Sequence, residues 1–393
     1  MTAQTPSQAA QEAGAVAASP TGDPWLLTPG PLTTSPSVKE AMVHDYGSRD
    51  GHFIDINRRM RERLVAIAGA DGGEDYVCVP LQGSGTFVVE AMLGNFVPPG
   101  GKLLILVNGA YGHRIAKICD YYRREYLIQE SAEDVPVDTD ELDQTLSNDP
   151  GISHVAMIYC ETTSGILNPI QQISQIVARH ARGLLIDAMS AFGALPLSVK
   201  EIEFDAVVAS SNKCLEGSPG MGYCIARRSA IEKTKGNSPS LSLDLYEQWQ
   251  AMMKNKQWRF TPPTHVLLAF DQALKEFEEE GGVAGRGGRY RQNADLMISG
   301  MRKMGFKTLL ADDLQAPIII TFHMPANPEF DFSAFYDGLR EQGYVIYPGK
   351  LTVANSFRIG CIGRLDLEQM QGALDAVAKM LTKFGIDEII NAE

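Results

Sequence analysis

The 393-residue chain contains no stretch approaching about eighteen consecutive apolar residues, so no membrane-spanning helix is expected. It has no C-x-x-C pair. Its six cysteines are widely scattered, which argues against a disulfide framework and against a cysteine-rich zinc site. They read as buried small hydrophobes in a reducing compartment. Basic residues are also in deficit: 35 Lys and Arg stand against 48 Asp and Glu, a net charge of −13. That excludes a dedicated nucleic-acid binder but not a protein that holds small anions, because a local arginine outweighs the mean field. No internal repeat or coiled coil is visible. No set of histidines has metal-ligand spacing. The N-terminus lacks both a basic start and a sustained apolar run, which is a poor secretory signal. Residues 1–24 read as a flexible tail, and the cytoplasm is the default location.

What is present is a rhythm. The length calls for two domains, or one large domain with a smaller one attached. Apolar runs at 76–81 (YVCVPL), 102–108 (KLLILVN), 154–160 (HVAMIYC), 184–187 (LLID), 206–212 (AVVASSN) and 221–228 (MGYCIARR) read as buried strands. Segments with helical spacing lie between several of them. Strands without clean alternation, separated by helices, predict an α/β fold with a mostly parallel sheet covered on both faces. A helix-rich stretch follows at 264–304, broken by GGVAGRGGR, which reads as a helix junction or a loop. From about residue 305 the pattern becomes that of a small α+β domain. The expected division is a large domain over 25–280, then a linking helix and small domain over 281–393.

In open α/β sheets ligands gather beyond the carboxyl ends of the strands, and the notable polar residues fall there. Gly83-Ser84-Gly85-Thr86 joins a strand to a helix. It is neither a Walker A loop nor G-x-G-x-x-G; it suits a phosphate cradle or a simple turn with an N-cap. Asp187 ends the LLID run. A carboxylate there suits a protonated ring nitrogen, a helix cap or a metal ligand. Lys213 follows AVVASSN and precedes a glycine-rich turn. An ammonium at the end of a buried strand needs solvent or a partner, so Lys213 is either a snorkelling lysine or an amine that forms a Schiff base.

Taken in order, LLTPGPLTTS, GSRD, LQGSGTFVVEAML, NGAYGHR, CETTSGILNP, LLIDAMSAFGALP, SNKCLEGSPGMGY, FTPPTH and FRIGCIG make the chain resemble the class-V aminotransferases of fold-type I. The likeness runs from about Trp25 to Arg364. Within that family it resembles the branch that transfers the amino group of 2-aminoethylphosphonate to pyruvate. The resemblance implies pyridoxal 5'-phosphate as cofactor, with Lys213 as its covalent anchor and Asp187 against the pyridine nitrogen. It implies Ser84, Gly85 and Thr86 at the phosphate, Tyr111 stacked on the ring and Thr162 at the ring hydroxyl. It places Arg358 on the acidic end of both substrates, with Arg49 as a second positive contact. It also implies a homodimer with shared active sites, in which Thr261 of one chain reaches the cofactor phosphate of the other. Read from sequence alone, Tyr111 suits a packed turn, Thr162 a turn cap, Thr261 a helix cap and Arg358 a salt bridge equally well. Alanine–glyoxylate or serine–glyoxylate transamination, elimination of ammonia from an aminophosphonate, and a noncatalytic binding role are the rival functions.

Overall fold

The computed structural model describes residues 19–70, 75–351 and 354–391. The expected tail therefore lies largely outside the described residues. Its last part is ordered: the Ser19 amide donates to the Asp23 carbonyl, and Asp23 pairs with Lys39 at 2.6 Å.

A seven-stranded sheet organises the large domain. In chain order its strands are β1 (Tyr76–Gln82), β2 (Lys102–Val107), β3 (Glu125–Glu130), β4 (Ile152–Ile158), β5 (Gly183–Asp187), β6 (Ala206–Ser210) and β7 (Met221–Arg227). Their order in space is β1-β7-β6-β5-β4-β2-β3. All neighbours are parallel except β7, which runs antiparallel to both β1 and β6. Strand alternation splits the core into two layers. Tyr76, Cys78, Leu104 and Leu106 face a cluster with Phe53 and Met60 of α1 (Gly51–Ile67). Val77, Val79, Leu103 and Ile105 face the other, with Val88 and Met92 of α2 (Gly85–Phe96) and Ile115 of α3 (Ala110–Tyr122). Leu142 of α4 (Thr139–Asn148) and Ile173 of α5 (Ile170–Arg179) add to the first layer, and Trp249 of α6 (Leu245–Asn255) to the second. The strands read as continuous apolar runs because both faces are dry. β3 is an edge strand with exposed Leu127 and Ile128, and its polar, broken pattern hides it from a search for apolar runs.

The third core belongs to a smaller unit. A three-stranded antiparallel sheet, β8 (Ile319–His323), β9 (Tyr347–Pro348) and β10 (Ser356–Gly360), packs with α9 (Phe332–Glu341) and α10 (Leu367–Phe384). The N-terminal segment joins it: Trp25–Leu26 pairs in parallel with Tyr344–Val345, and Leu27 enters the same core.

Between the two units, α7 (Thr264–Glu279) leads into α8 (Gly282–Lys303). The GGVAGRGGR segment is thus a helix junction: Gly281, at φ +98°, separates the two helices, and the rest of the segment is the first part of α8 rather than a loop. Small residues let this helix approach the large domain, and a Cβ on Gly287 would lie 2.3 Å from the Ala194 carbonyl oxygen. The approach buries Arg286 beside Glu216 and Glu280. A buried guanidinium is tolerated only when paired, and here both carboxylates and the Cys214 carbonyl meet it. Among the described residues no helix is long and apolar enough to cross a membrane, and no group of His, Cys, Asp and Glu is arranged to hold a metal ion.

Candidate active site

A cavity of about 290 Å³ opens at the carboxyl ends of the parallel strands. Its wall includes Ser84, Gly85, Thr86, Tyr111, Thr162, Asp187 and Lys213. Seven of the ten sequence-predicted residues therefore converge on one space, although they come from five separate segments. A larger cavity of about 570 Å³, around Arg61, Tyr76 and Met252, contains none of them.

Each side chain arrives for a local reason. β5 delivers Asp187 at its last residue, 6% exposed. Its Oδ1 accepts from the Met189 amide at 2.9 Å, which aims the carboxylate. Burial dominates that one amide and raises the Asp187 pKa to about 6. Arg114 and Lys213 act on it only from a distance; among the described residues Asp187 has no ion pair, and a protonated ring nitrogen is the partner that burial calls for.

Lys213 follows the end of β6. Its Nζ donates to the Pro29 carbonyl at 2.6 Å. Burial lowers its pKa to about 8, so the neutral amine is within reach near neutral pH. Gly30 makes this placement possible: its φ is +113°, and a Cβ there would sit 2.7 Å from Lys213 Cδ.

The phosphate candidate stands at the start of α2. Ser84 occupies the N-cap position, yet its side chain makes no capping bond. Its hydroxyl and the first helical amides are left for an anion. The Thr86 hydroxyl accepts from Arg114 Nη1 at 3.0 Å. The donor set, the lone carboxylate and the depressed amine together fit a phosphorylated pyridine aldehyde.

Tyr111 sits in the first turn of α3, its amide bonded to Glu161 Oε2 at 3.0 Å. Glu161 is fully buried. Burial raises its pKa, opposed by bonds from Thr163 and Tyr111. Thr162 is held between that carboxylate and the small domain. Its carbonyl accepts from Arg358 Nη1 at 2.7 Å.

Arg358 is not part of the cavity wall. It is 2% exposed and bonds the Pro348 carbonyl through Nε at 3.1 Å and Nη2 at 2.9 Å. These are carbonyl contacts; among the described residues it has no ion pair, so the salt-bridge alternative fails. Arg49 is exposed, just before Asp50, the cap of α1, and is outside the cavity wall. Thr261 is also exposed and outside it. Its expected role as a helix cap is corrected: α7 begins at Thr264 with Pro263 at the cap position and no side-chain cap.

Two cations escaped sequence reasoning. Arg114 lines the cavity with its guanidinium 4.5 Å from the Tyr111 ring centroid. It stands three residues after Tyr111 on the same helix, a spacing that signals a shared face. Lys350 Nζ lies 4.9 Å from the same centroid, a long-range contact with no local signal.

Residues 39–356 match the profile of the family Aminotransferase class-V. The chain is 52% identical over 366 residues to the 2-aminoethylphosphonate–pyruvate transaminase of Rhizobium meliloti (strain 1021), covering 93% of this chain and 95% of that one. It is 51% identical over 376 residues to 2-aminoethylphosphonate–pyruvate transaminase 1 of Polaromonas sp. (strain JS666 / ATCC BAA-500), covering 95% and 100%. Among solved structures, the alanine–glyoxylate aminotransferase of Nostoc sp. superposes with a TM-score of 0.85 at 23% identity, covering 91% of this chain and 95% of that one. At that identity the likeness speaks to the fold alone.

Proposed function

The chain belongs to the class-V aminotransferases, and from that membership we propose that it transfers the amino group of 2-aminoethylphosphonate to pyruvate, giving phosphonoacetaldehyde and alanine, with pyridoxal 5'-phosphate as cofactor. The observation that carries the reading is the meeting of Lys213, Asp187 and the uncapped start of α2 in one cavity. When bound, pyridoxal 5'-phosphate supplies an aldehyde that condenses with amines and a ring that accepts the electron pair released at the substrate carbon.

The protein's part is position, charge and proton transfer. Lys213 anchors the cofactor through its amine, and burial keeps that amine available for attack. With its amine free of the cofactor, Lys213 would be the base that moves a proton from the amino-bearing carbon of the substrate. Asp187 holds the ring nitrogen protonated, its own orientation set by the Met189 amide. Ser84, Gly85 and Thr86 cradle the phosphate, Tyr111 covers one ring face and Thr162 meets the ring hydroxyl. Arg358 receives the donor's phosphonate and then the carboxylate of pyruvate, for which the same groups run in reverse. The active assembly is a homodimer, in which the exposed Thr261 serves the cofactor phosphate of the neighbouring site, while Arg49 gives the substrate a second positive contact.

The test uses half-reactions. 2-Aminoethylphosphonate alone should convert the visible absorbance of the holoenzyme to that of the amine form, and pyruvate alone should restore it. Failure of the first conversion would reject the donor; failure of the second, the acceptor.

A further inference from the structure

Positive charge accumulates around Tyr111 without matching negative charge. Arg114 and Lys350 both lie over its ring, at 4.5 and 4.9 Å from the centroid. Arg358 stands 5.0 Å from the Tyr347 ring centroid, on the strand paired with the one that precedes Lys350. Among the described residues, none of these three cations forms an ion pair with a carboxylate. The nearby carboxylate, Glu161, already accepts from the Tyr111 amide and from the Thr163 amide and hydroxyl.

Arg358 alone is a poor match for a phosphonate. Of the five N–H groups of a guanidinium, three point at carbonyls: Nε and one on Nη2 at Pro348, one on Nη1 at Thr162. The remaining pair suits the two oxygens of a carboxylate. A phosphonate has three acceptor oxygens and approaches a charge of −2, so it needs a further cationic donor. Lys350 is the free candidate: its ammonium has three donors and, among the described residues, no hydrogen-bonded acceptor. Arg114 is engaged at Thr86, beside the phosphate cradle.

We propose that Lys350 is a specificity-determining residue that supplies the second cationic contact to the donor's phosphonate, next to Arg358, and leaves the carboxylate of pyruvate to Arg358. Partial burial, followed by repulsion from Arg114 and Arg358, holds the Lys350 pKa below its ordinary value. A bound dianion relieves that repulsion, whereas a monoanion relieves less of it. Lys350 and Arg358 belong to the small unit and lie beyond the cavity wall, while Tyr111 and Arg114 line it from the large unit, so the dianion also ties the two units together.

This inference rests on the proposed donor, and the experiment separates the two. Holoenzyme carrying Lys350→Met or Lys350→Arg is compared with wild type in both half-reactions. The affinity for ethylphosphonate and for propionate, which do not react, is read from their perturbation of the cofactor absorbance. For Lys350→Met, donor efficiency should fall about tenfold to a hundredfold and ethylphosphonate binding should weaken by about tenfold or more. The pyruvate half-reaction and propionate binding should change by less than about threefold. Lys350→Arg should recover most of the loss. Equal losses toward both anions, or none, would overturn the assignment. If wild type fails to react with 2-aminoethylphosphonate, yet ethylphosphonate binding still depends on Lys350, the donor is wrong and the phosphonate contact stands.

Discussion

Asp187→Asn should have opposite effects on the empty protein and on the reaction. Burial raises the Asp187 pKa from 3.8 to about 6. That shift of roughly two units means that keeping the carboxylate ionised in the cofactor-free cavity costs about 3 kcal/mol. The sign follows from linkage. A carboxyl whose folded pKa lies above its unfolded value is neutral in both states at low pH, and there it is indifferent. As pH rises past the unfolded value, the unfolded chain ionises first and the folded state loses stability. The loss is complete above about pH 6. An amide of the same shape keeps the acceptor for the Met189 amide and carries no charge. Cofactor-free Asp187→Asn should therefore unfold later than wild type at about pH 7.5, by up to ~3 kcal/mol, with the difference vanishing below about pH 4. Turnover should move the other way. The oxygen of the amide is committed to Met189, which turns its NH2 toward the ring nitrogen and opposes protonation there. Loss of a preorganised ionic contact of this kind is worth about 3–4 kcal/mol, or roughly two to three powers of ten in the half-reaction rate. Urea unfolding of the cofactor-free proteins across this pH range, beside stopped-flow half-reactions of the holoenzymes, measures both. Near-normal turnover, or a stability difference that ignores pH, would refute the role given to Asp187.

Three further outcomes are expected. Cofactor capture by the empty enzyme should accelerate with rising pH and level off above about 8, because the depressed Lys213 pKa governs the neutral amine; borohydride reduction and peptide mapping should then place the label on Lys213, and label elsewhere would remove it from the mechanism. Arg358→Lys should bind cofactor normally but lose about tenfold or more in efficiency with both substrates, since a lysine keeps the charge without the fork and releases the Thr162 and Pro348 carbonyls; wild-type efficiency with both would take Arg358 out of substrate binding. Mixing Lys213→Ala and Thr261→Ala subunits should regenerate activity through heterodimers with one intact site, and confirmed heterodimers without activity would count against the shared-site homodimer.

The site was legible in the sequence wherever one backbone rule governed the residue. Asp187 and Lys213 close buried apolar runs, and a parallel sheet brings strand ends together whatever their separation in the chain. Ser84 to Thr86 stand between a strand and a helix, so their position follows from the same rhythm. Arg114 was overlooked although its three-residue spacing from Tyr111 was available. Lys350 could not be found this way, because its contact with Tyr111 spans the two units and leaves no periodicity. The edge strand β3 and the helical course of residues 282–289, beyond the junction at Gly281, were hidden for different reasons. Exposure breaks the apolar pattern in the first. In the second, close packing against Ala194 and the paired burial of Arg286 override a poor helix propensity. The cap alternative for Thr261 fails because the helix starts later, with Pro263 in the cap position.

Product accounting with purified holoenzyme tests the central claim most directly. With 2-aminoethylphosphonate and pyruvate together, alanine and phosphonoacetaldehyde should appear in equal amounts, and with pyruvate omitted the reaction should stop after one equivalent of aldehyde per active site without free ammonia. Continued release of ammonia in the absence of pyruvate, or alanine formation that does not require 2-aminoethylphosphonate, would contradict transamination between these two substrates.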